Sequence, residues 1–142
     1  MERDKVIVAS IGSDTHIVGV TLLSRALEKA GFRAVNLGVQ NTLEELINAA
    51  VETKAVSIWA SSLCGHAELD CIDFSAKCTE AGLKDIILYI GGNLVVGKRD
   101  WEETKLTFEK MGFDRVYPPG TPPEQAIDDL KRDLQSPQGS LS

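Results

Sequence analysis

Asp14 and His16 are the first residues along the chain whose types and spacing suit metal chemistry, and they lie in the segment Gly12–Gly19. The carboxylate of Asp14 is close enough in sequence to accept the proton of one ring nitrogen of His16, which leaves the other nitrogen free to bind a metal. One His and one Asp do not complete a zinc or calcium site, since these ions need about four or more ligands. A single-histidine site suits a metal whose other positions are filled by a macrocycle. From these residues alone, a solvated loop His and an Asp that caps the next helix remain open.

Two further segments combine small polar residues with glycine. Residues 60–66 read Ala-Ser-Ser-Leu-Cys-Gly-His, and residues 91–97 read Gly-Gly-Asn-Leu-Val-Val-Gly. The hydroxyls of Ser61 and Ser62 can donate hydrogen bonds to a buried ligand, and the paired glycines allow backbone to approach a bulky group closely. Tight turns at strand ends would use the same residue types, so each segment by itself leaves both interpretations open.

The elements that must position these segments follow from the hydrophobic pattern. Short β-branched apolar runs alternate with stretches of helical periodicity, which is typical of βα units that build a parallel sheet covered on both faces. The predicted strands are Lys5–Ile11, Arg33–Leu37, Ala55–Ala60, Ile86–Ile90 and Asp114–Tyr117. The predicted helices are Ile17–Ala30, Thr42–Glu52, Glu68–Ala81, Asp100–Met111 and Pro123–Leu134, with a capping box at Thr42 and Glu45 and glycine C-caps at Gly31, Gly82 and Gly112.

This alternation predicts an α/β fold, a flavodoxin-like, doubly wound, five-stranded parallel sheet of order 2-1-3-4-5. Ligands bind to such sheets beyond the carboxyl ends of the strands, where the strand order reverses. The three segments follow strands one, three and four, so the fold is expected to bring them together. Residues 1–135 are expected to form one domain, and residues 136–142 a disordered tail.

Composition narrows the classes of partner. The 142 residues are 43% hydrophobic and 25% charged, as in soluble globular proteins, and the net charge of −6 argues against nucleic acid. No apolar run approaches the roughly 20 residues of a membrane span, and the N-terminus lacks a signal-peptide pattern, so a cytoplasmic protein is expected. Three cysteines spaced by seven, Cys64, Cys71 and Cys78, fit neither a zinc motif nor a disulfide framework and are expected to be small buried residues.

Taken together, the three segments form the pattern Asp-x-His-x-x-Gly, Ser-x-Leu and Gly-Gly. It is carried by Asp14, His16, Gly19, Ser61, Leu63, Gly91 and Gly92. The chain also reads Gly-Gly-Asn-Leu-Val-Val-Gly-Lys at 91–98 and Met-Gly-Phe-Asp-Arg-Val-Tyr-Pro-Pro-Gly-Thr at 111–121. With these stretches, the chain resembles the small, cobalamin-binding subunit of glutamate mutase, also called methylaspartate mutase, over about residues 4–134.

The resemblance implies that adenosylcobalamin binds with its own nucleotide base displaced, with His16 as the lower axial cobalt ligand and Asp14 orienting that imidazole. The displaced nucleotide tail would enter a slot lined by Ser61, Leu63 and the Gly91–Gly97 loop. The implied cofactor-binding residues are Ser13, Asp14, Thr15, His16, Ile17, Gly19, Ser61, Ser62, Leu63, Gly91, Gly92, Asn93, Leu94, Val95, Val96 and Gly97. The chain departs from the family at Cys64 and His66, where an aromatic residue and a Gln are expected.

By the same resemblance, the activity is the carbon-skeleton rearrangement of glutamate to 3-methylaspartate. The chain shows no converging arginines that would form an amino-acid site, so no catalytic residue is assigned to it, and a large catalytic mutase subunit is the expected partner. A corrinoid methyl carrier is the alternative, but such carriers usually have a helical module before the binding domain, and the first predicted strand begins at Lys5. A phosphate receiver would need an Asp after the third strand, where Ser61-Ser62-Leu63 stand.

Overall fold

The computed structural model describes residues 4–11, 17–62, 74–83, 85–92, 100–118 and 121–135. Strands and helices alternate along these ranges as the hydrophobic pattern predicts. The elements are β1 (Lys5–Ile11), α1 (Ile17–Lys29), β2 (Arg33–Asn41), α2 (Leu43–Thr53), β3 (Ser57–Ser62), α3 (Phe74–Glu80), β4 (Ile87–Gly92), α4 (Trp101–Lys110), β5 (Arg115–Tyr117) and α5 (Pro123–Gln135).

The five strands form one parallel sheet in the order β2-β1-β3-β4-β5. The predicted fold class and strand order are therefore confirmed. The strand order reverses between β1 and β3, so the loops that follow these two strands leave the sheet from adjacent positions.

Helices cover both faces of the sheet. On one face, α1 and α5 pack through Val20, Leu27, Ile127 and other apolar side chains onto alternate residues of the strands. On the other face, α2, α3 and α4 pack through Leu46, Phe74, Phe108 and their neighbours onto the intervening strand residues. Because successive strand side chains point to opposite faces, each strand contributes to both cores.

The predicted helix ends agree with the structure where it describes them. The Glu45 backbone N–H donates to the Thr42 hydroxyl at 3.2 Å, and the Thr42 N–H donates to the Glu45 carboxylate at 2.9 Å, which completes the capping box. The backbone after α1, α3 and α4 is left-handed at glycine, as expected for C-caps. Helix α3 was predicted from Glu68, but residues 63–73 lie outside the described part of the chain.

Strand β2 is longer than predicted, because it continues past Leu37 to Asn41. The pairing of β1 with β2 shifts register between Val8 and Ala9, and Gly38 lies there with φ of +79°. Its backbone N–H donates to the Asn36 side-chain oxygen at 2.8 Å. The glycine therefore makes a bulge inside the strand, where the sequence had indicated a strand end.

Cys78 is buried in α3, as expected, and burial raises the pKa of its thiol to about 11. Such a thiol is almost wholly protonated at neutral pH and packs as a small apolar side chain. Cys64 and Cys71 lie outside the described residues.

Gly112 is expected to be more sensitive to substitution than the other C-cap glycines. Its φ is +108°, and a Cβ there would lie 2.3 Å from the Cβ of Ser75 on α3. Gly112→Ala should lower the free energy of unfolding by about 2 kcal/mol, because backbone strain and displacement of α3 add. Gly82→Ala is the matched control, since Gly82 has φ of +91° but no neighbour within 4 Å of its added Cβ. Urea unfolding of both variants measures the difference, and equal losses would contradict the steric part.

Candidate functional site

The carboxyl ends of β1, β3 and β4 lie side by side. Ser10 of β1 is in register with Ser61 of β3, and Ser61 is in register with Gly91 of β4. One residue further on, Ser62 is in register with Gly92. The structure thus brings together the two strand ends that carry the Ser-x-Leu and Gly-Gly elements, and it places them beside the end of β1.

Ser10, Ser61, Gly91 and Tyr117 occupy one continuous row across four strands, which we call the strand-end row. Alternation along the strands assigns this row to the face covered by α1 and α5, the face on which the preceding alternate residues are buried. Three of the four residues have a hydroxymethyl side chain or none. The row therefore contributes little side-chain volume between the sheet and the two helices at the strand ends.

Within the described part of the chain, packing does not require a glycine at position 91. Its φ is outside the left-handed region, and an added Cβ would lie 3.5 Å from the Tyr117 Cβ and 3.7 Å from the Tyr117 carbonyl oxygen, which are ordinary contacts. The described part of the chain would accept alanine here. The absence of a side chain at Gly91 keeps open a cradle that a Cβ would begin to fill, which suits the close approach of a bulky group.

The next row toward the amino ends of the strands is formed by Val8, Trp59, Tyr89 and Arg115. The Trp59 and Tyr89 rings stack with centroids 5.5 Å apart and planes inclined by 23°. The Tyr89 ring meets the Tyr117 ring edge-on at 5.6 Å. These aromatic side chains form a buried floor beneath the strand-end row.

Two carboxylates of α5 fix this helix over the floor. Asp133 accepts hydrogen bonds from the Tyr89 hydroxyl and from Nε and Nη2 of Arg115, the latter two at 2.9 Å each. The Arg115 guanidinium, with its bidentate contact, holds the pKa of the Asp133 carboxyl below its usual range. Burial, together with the bond to Asp133, raises the pKa of Tyr89, so its hydroxyl stays a donor at neutral pH.

Asp129, one turn earlier on α5, holds the end of the row. It accepts a hydrogen bond of 2.7 Å from the Tyr117 hydroxyl, and the Arg115 and Arg132 guanidinium groups each lie 3.9 Å from its other oxygen. Burial and this hydrogen bond raise the pKa of Tyr117. The ring of Tyr117 is thereby fixed as an end wall of the strand-end row.

Asn41 stabilises the opposite end of the strand-end row, where β1 is paired with β2. Its side-chain amide is buried and donates to the carbonyl oxygens of Ser10, Leu37 and Gly38 at 3.2 to 3.3 Å. These bonds tie the end of β1 to the bulged end of β2. The backbone from which the Gly12–Gly19 segment departs is therefore held in place by a buried polar side chain.

The structure locates only part of the predicted site. Ser61 and Gly91 are brought together. Ser62 and Gly92 are the last residues of their strands, and Ile17 and Gly19 lie in the first turn of α1, each described for its backbone alone. The other predicted residues, Ser13, Asp14, Thr15, His16, Leu63, Asn93, Leu94, Val95, Val96 and Gly97, lie outside the described residues. Their roles stay predictions.

Three residues of this region were missed in the sequence, namely Ser10, Trp59 and Tyr117. Ser10 had a usable signal, because it interrupts an apolar strand one residue before that strand ends. Trp59 and Tyr117 gave no signal of their own, since their place depends on the register of strands that are distant in sequence.

Among the described residues, no group of three or more His, Cys, Asp or Glu side chains is placed to hold a metal ion. No helix in the described ranges is both long and apolar enough to cross a bilayer.

Comparison with known proteins decides the family. The B12 binding domain family matches residues 4–128 of the chain. The glutamate mutase sigma subunit of Clostridium tetani is 52% identical over 134 residues, which are 94% of this chain and 98% of that protein. The chain belongs to the glutamate mutase sigma subunit family. A second member of the family, sigma subunit 2 of Haloarcula marismortui, is 56% identical over 129 residues, 91% of this chain and 86% of that one.

A solved structure supports the fold at a greater distance. A cobalamin-binding protein from Desulfitobacterium hafniense superposes with a TM-score of 0.75 at 20% identity, covering 92% of this chain and 59% of that one. The chain thus spans less than two thirds of the length of that structure. At this identity the likeness concerns the fold alone.

Proposed function

We propose that this chain binds adenosylcobalamin in the base-off form and serves as the cofactor-carrying subunit of a glutamate mutase. In this proposal His16 is the lower axial ligand of cobalt, and Asp14 accepts the proton of the other ring nitrogen and so orients the imidazole. The displaced nucleotide tail lies along the strand-end row, between the sheet and helices α1 and α5.

The observation that carries the proposal is the strand-end row itself. Ser10, Ser61 and Gly91 carry small side chains or none at the strand ends, on the covered face, and Ser10 lies on the strand that precedes the Asp14–His16 segment. Within the described part of the chain, nothing in the packing requires a glycine at position 91. In this proposal the slot for the nucleotide tail lies along this row, and the family fingerprint falls on the strands that border it.

The chain's own residues bind and orient the cofactor. In this proposal the Ser61 hydroxyl donates a hydrogen bond to the nucleotide tail, and Tyr117, held by Asp129, limits the slot at one end. Asp133 and Arg115 keep α5 seated over the sheet, so that water is excluded from the apolar floor. The radical chemistry of the rearrangement comes from the bound cofactor rather than from these side chains.

The substrate and the remaining catalytic groups belong, in this proposal, to a large catalytic subunit. The relatives are named as subunits, and Arg115, the arginine nearest the strand-end row along β5, is paired with Asp129 and Asp133 of α5. Because these two carboxylates of α5 pair with the Arg115 guanidinium, this group is not available to bind a substrate carboxylate. In this proposal a glutamate substrate, with its two carboxylates, is bound by the large subunit.

The purified chain is expected to bind hydroxocobalamin and to show no turnover of glutamate with adenosylcobalamin. Addition of the large catalytic subunit from a related glutamate mutase should restore formation of 3-methylaspartate. Visible spectra measure the binding, and product formation measures the turnover.

The control is the large subunit with adenosylcobalamin but without this chain, which should be inactive. Turnover of glutamate by the chain alone would contradict the assignment of the substrate site to the large subunit. Cobalamin binding without any activity in the mixed complex, together with methyl transfer from methylcobalamin to a thiol acceptor, would favour the corrinoid carrier instead.

A further inference from the structure

Trp59 carries a buried hydrogen-bond donor that the protein itself does not use. Its side chain is 3% exposed, and its indole Nε1 has no acceptor within the described part of the chain. A buried donor without a partner costs free energy in the folded state, so such groups are rare and call for a specific explanation.

The two neighbouring tyrosine hydroxyls are both hydrogen-bonded, whereas the Trp59 indole is not. The Tyr89 hydroxyl, in the ring stacked on Trp59, donates to Asp133. The Tyr117 hydroxyl donates to Asp129. Neither carboxylate accepts a hydrogen bond from the indole nitrogen, which has no partner within the described part of the chain.

Trp59 lies directly beneath the proposed slot. It precedes Ser61 by two residues on β3, which places both side chains on the face covered by α1 and α5, about 7 Å apart along the strand. The indole is therefore in the floor of the strand-end row.

A displaced cobalamin base brings the complementary group. In free cobalamin one ring nitrogen of the benzimidazole binds cobalt through its lone pair, and displacement by a protein ligand releases that lone pair. Inside an apolar slot the released nitrogen is a buried acceptor that needs a donor. The unpaired donor of the protein and the unpaired acceptor of the ligand thus match in chemistry.

We propose that the indole N–H of Trp59 donates a hydrogen bond to the released ring nitrogen of the nucleotide base, so that Trp59 selects cobamides whose lower base carries such an acceptor. The inference rests on the proposed base-off binding and adds a specificity-determining residue to it. Trp59 acts on the tail and leaves the cobalt ligand to His16.

Affinity for a set of corrinoids tests the hydrogen bond. Cobalamin has the acceptor nitrogen, a cobamide with a phenolic lower base lacks it, and cobinamide has no nucleotide tail. The ratio of the affinities for cobalamin and for the phenolic cobamide should be about 5–10-fold higher in the wild-type chain than in Trp59→Phe, which is typical of one buried hydrogen bond. The cost of displacing the base from cobalt is the same for both proteins and cancels in this comparison. Trp59→Phe keeps an aromatic ring and removes the donor, and it should leave cobinamide binding unchanged.

Trp101→Phe is the matched control, because Trp101 begins α4 and packs on the opposite face of the sheet. It should keep the wild-type ratio of the two affinities. An equal loss of affinity for both cobamides in Trp59→Phe would assign Trp59 to packing and overturn the proposal, as would an unchanged preference. Failure of the wild-type chain to bind any corrinoid would instead overturn the proposed function.

The indole N–H resonances give a second readout that is independent of affinity. The chain has two tryptophans, so a ¹⁵N-labelled sample should show two indole signals, which Trp59→Phe assigns. Cobalamin with cobalt(III) should move the Trp59 proton signal to higher frequency, while the phenolic cobamide, which reproduces ring-current effects, should not. The same shift with both ligands would overturn the hydrogen bond.

Discussion

His16→Ala is expected to abolish cobalamin binding or to weaken it by more than about 100-fold. The substitution removes the only protein bond to cobalt in the proposed site, and the cofactor would then keep its own nucleotide base. Returning the base to cobalt withdraws the tail from the strand-end row, so the contacts at Ser61 and Gly91 are lost as well. Equilibrium dialysis with hydroxocobalamin measures the loss, and circular dichroism confirms that the variant is folded.

Asp14→Asn is the matched variant for the same site. It should weaken binding by about 10–100-fold, as is typical of a partner that orients a metal-binding histidine without touching the metal. The test is whether His16→Ala weakens cobalamin binding more than Asp14→Asn does. If the two residues only maintained the conformation of the loop, both substitutions would weaken binding to a similar degree.

The electron paramagnetic resonance signal of the cobalt(II) form identifies the axial ligand directly. Growth with ¹⁵N-labelled histidine should change the nitrogen splitting if His16 binds cobalt. A splitting that ignores the label, combined with normal binding by His16→Ala, would show that cobalt keeps its own base and would refute this account of the site.

The strand order could be predicted because each strand signals itself locally. Runs such as Lys5–Ile11 are apolar, β-branched and followed by a helical pattern, and parallel βα units then leave few arrangements of the sheet. The end of β2 could not be predicted, since Gly38 usually indicates a turn. Only the pairing with β1, together with the Asn36 side chain, makes it a bulge within a longer strand.

Among the residues near the strand-end row, too, some could be predicted from the sequence and others could not. Ser61 and Gly91 were predicted because each belongs to a local motif at a strand end. Tyr117 and Trp59 were missed because their place depends on register between strands separated by about 30 residues, and on contacts with α5. A hydrophobic pattern indicates that such residues are buried, but it does not indicate which strands and helices they contact.

Gly91→Val is expected to weaken cobalamin binding while the protein remains folded. The new side chain would occupy the space above the aromatic floor, and overfilling a packed site costs about 1–3 kcal/mol, or about 100-fold in affinity at the upper end. Gly91→Ala should weaken cobalamin binding less, by about tenfold. Isothermal titration with hydroxocobalamin measures both losses.

Stability should move in the opposite direction, which is what distinguishes a glycine kept open for a ligand from one needed by the fold. An alanine Cβ at this position meets only ordinary contacts with Tyr117, and alanine is favoured over glycine within a strand by about 0.5 kcal/mol. Gly91→Ala should therefore melt at the same temperature as the wild type or slightly higher, while Gly112→Ala melts lower. Cobinamide, which has no tail, should bind the Gly91 variants as it binds the wild type. If Gly91→Val binds cobalamin normally, or loses cobinamide and cobalamin equally, the tail does not lie along the strand-end row.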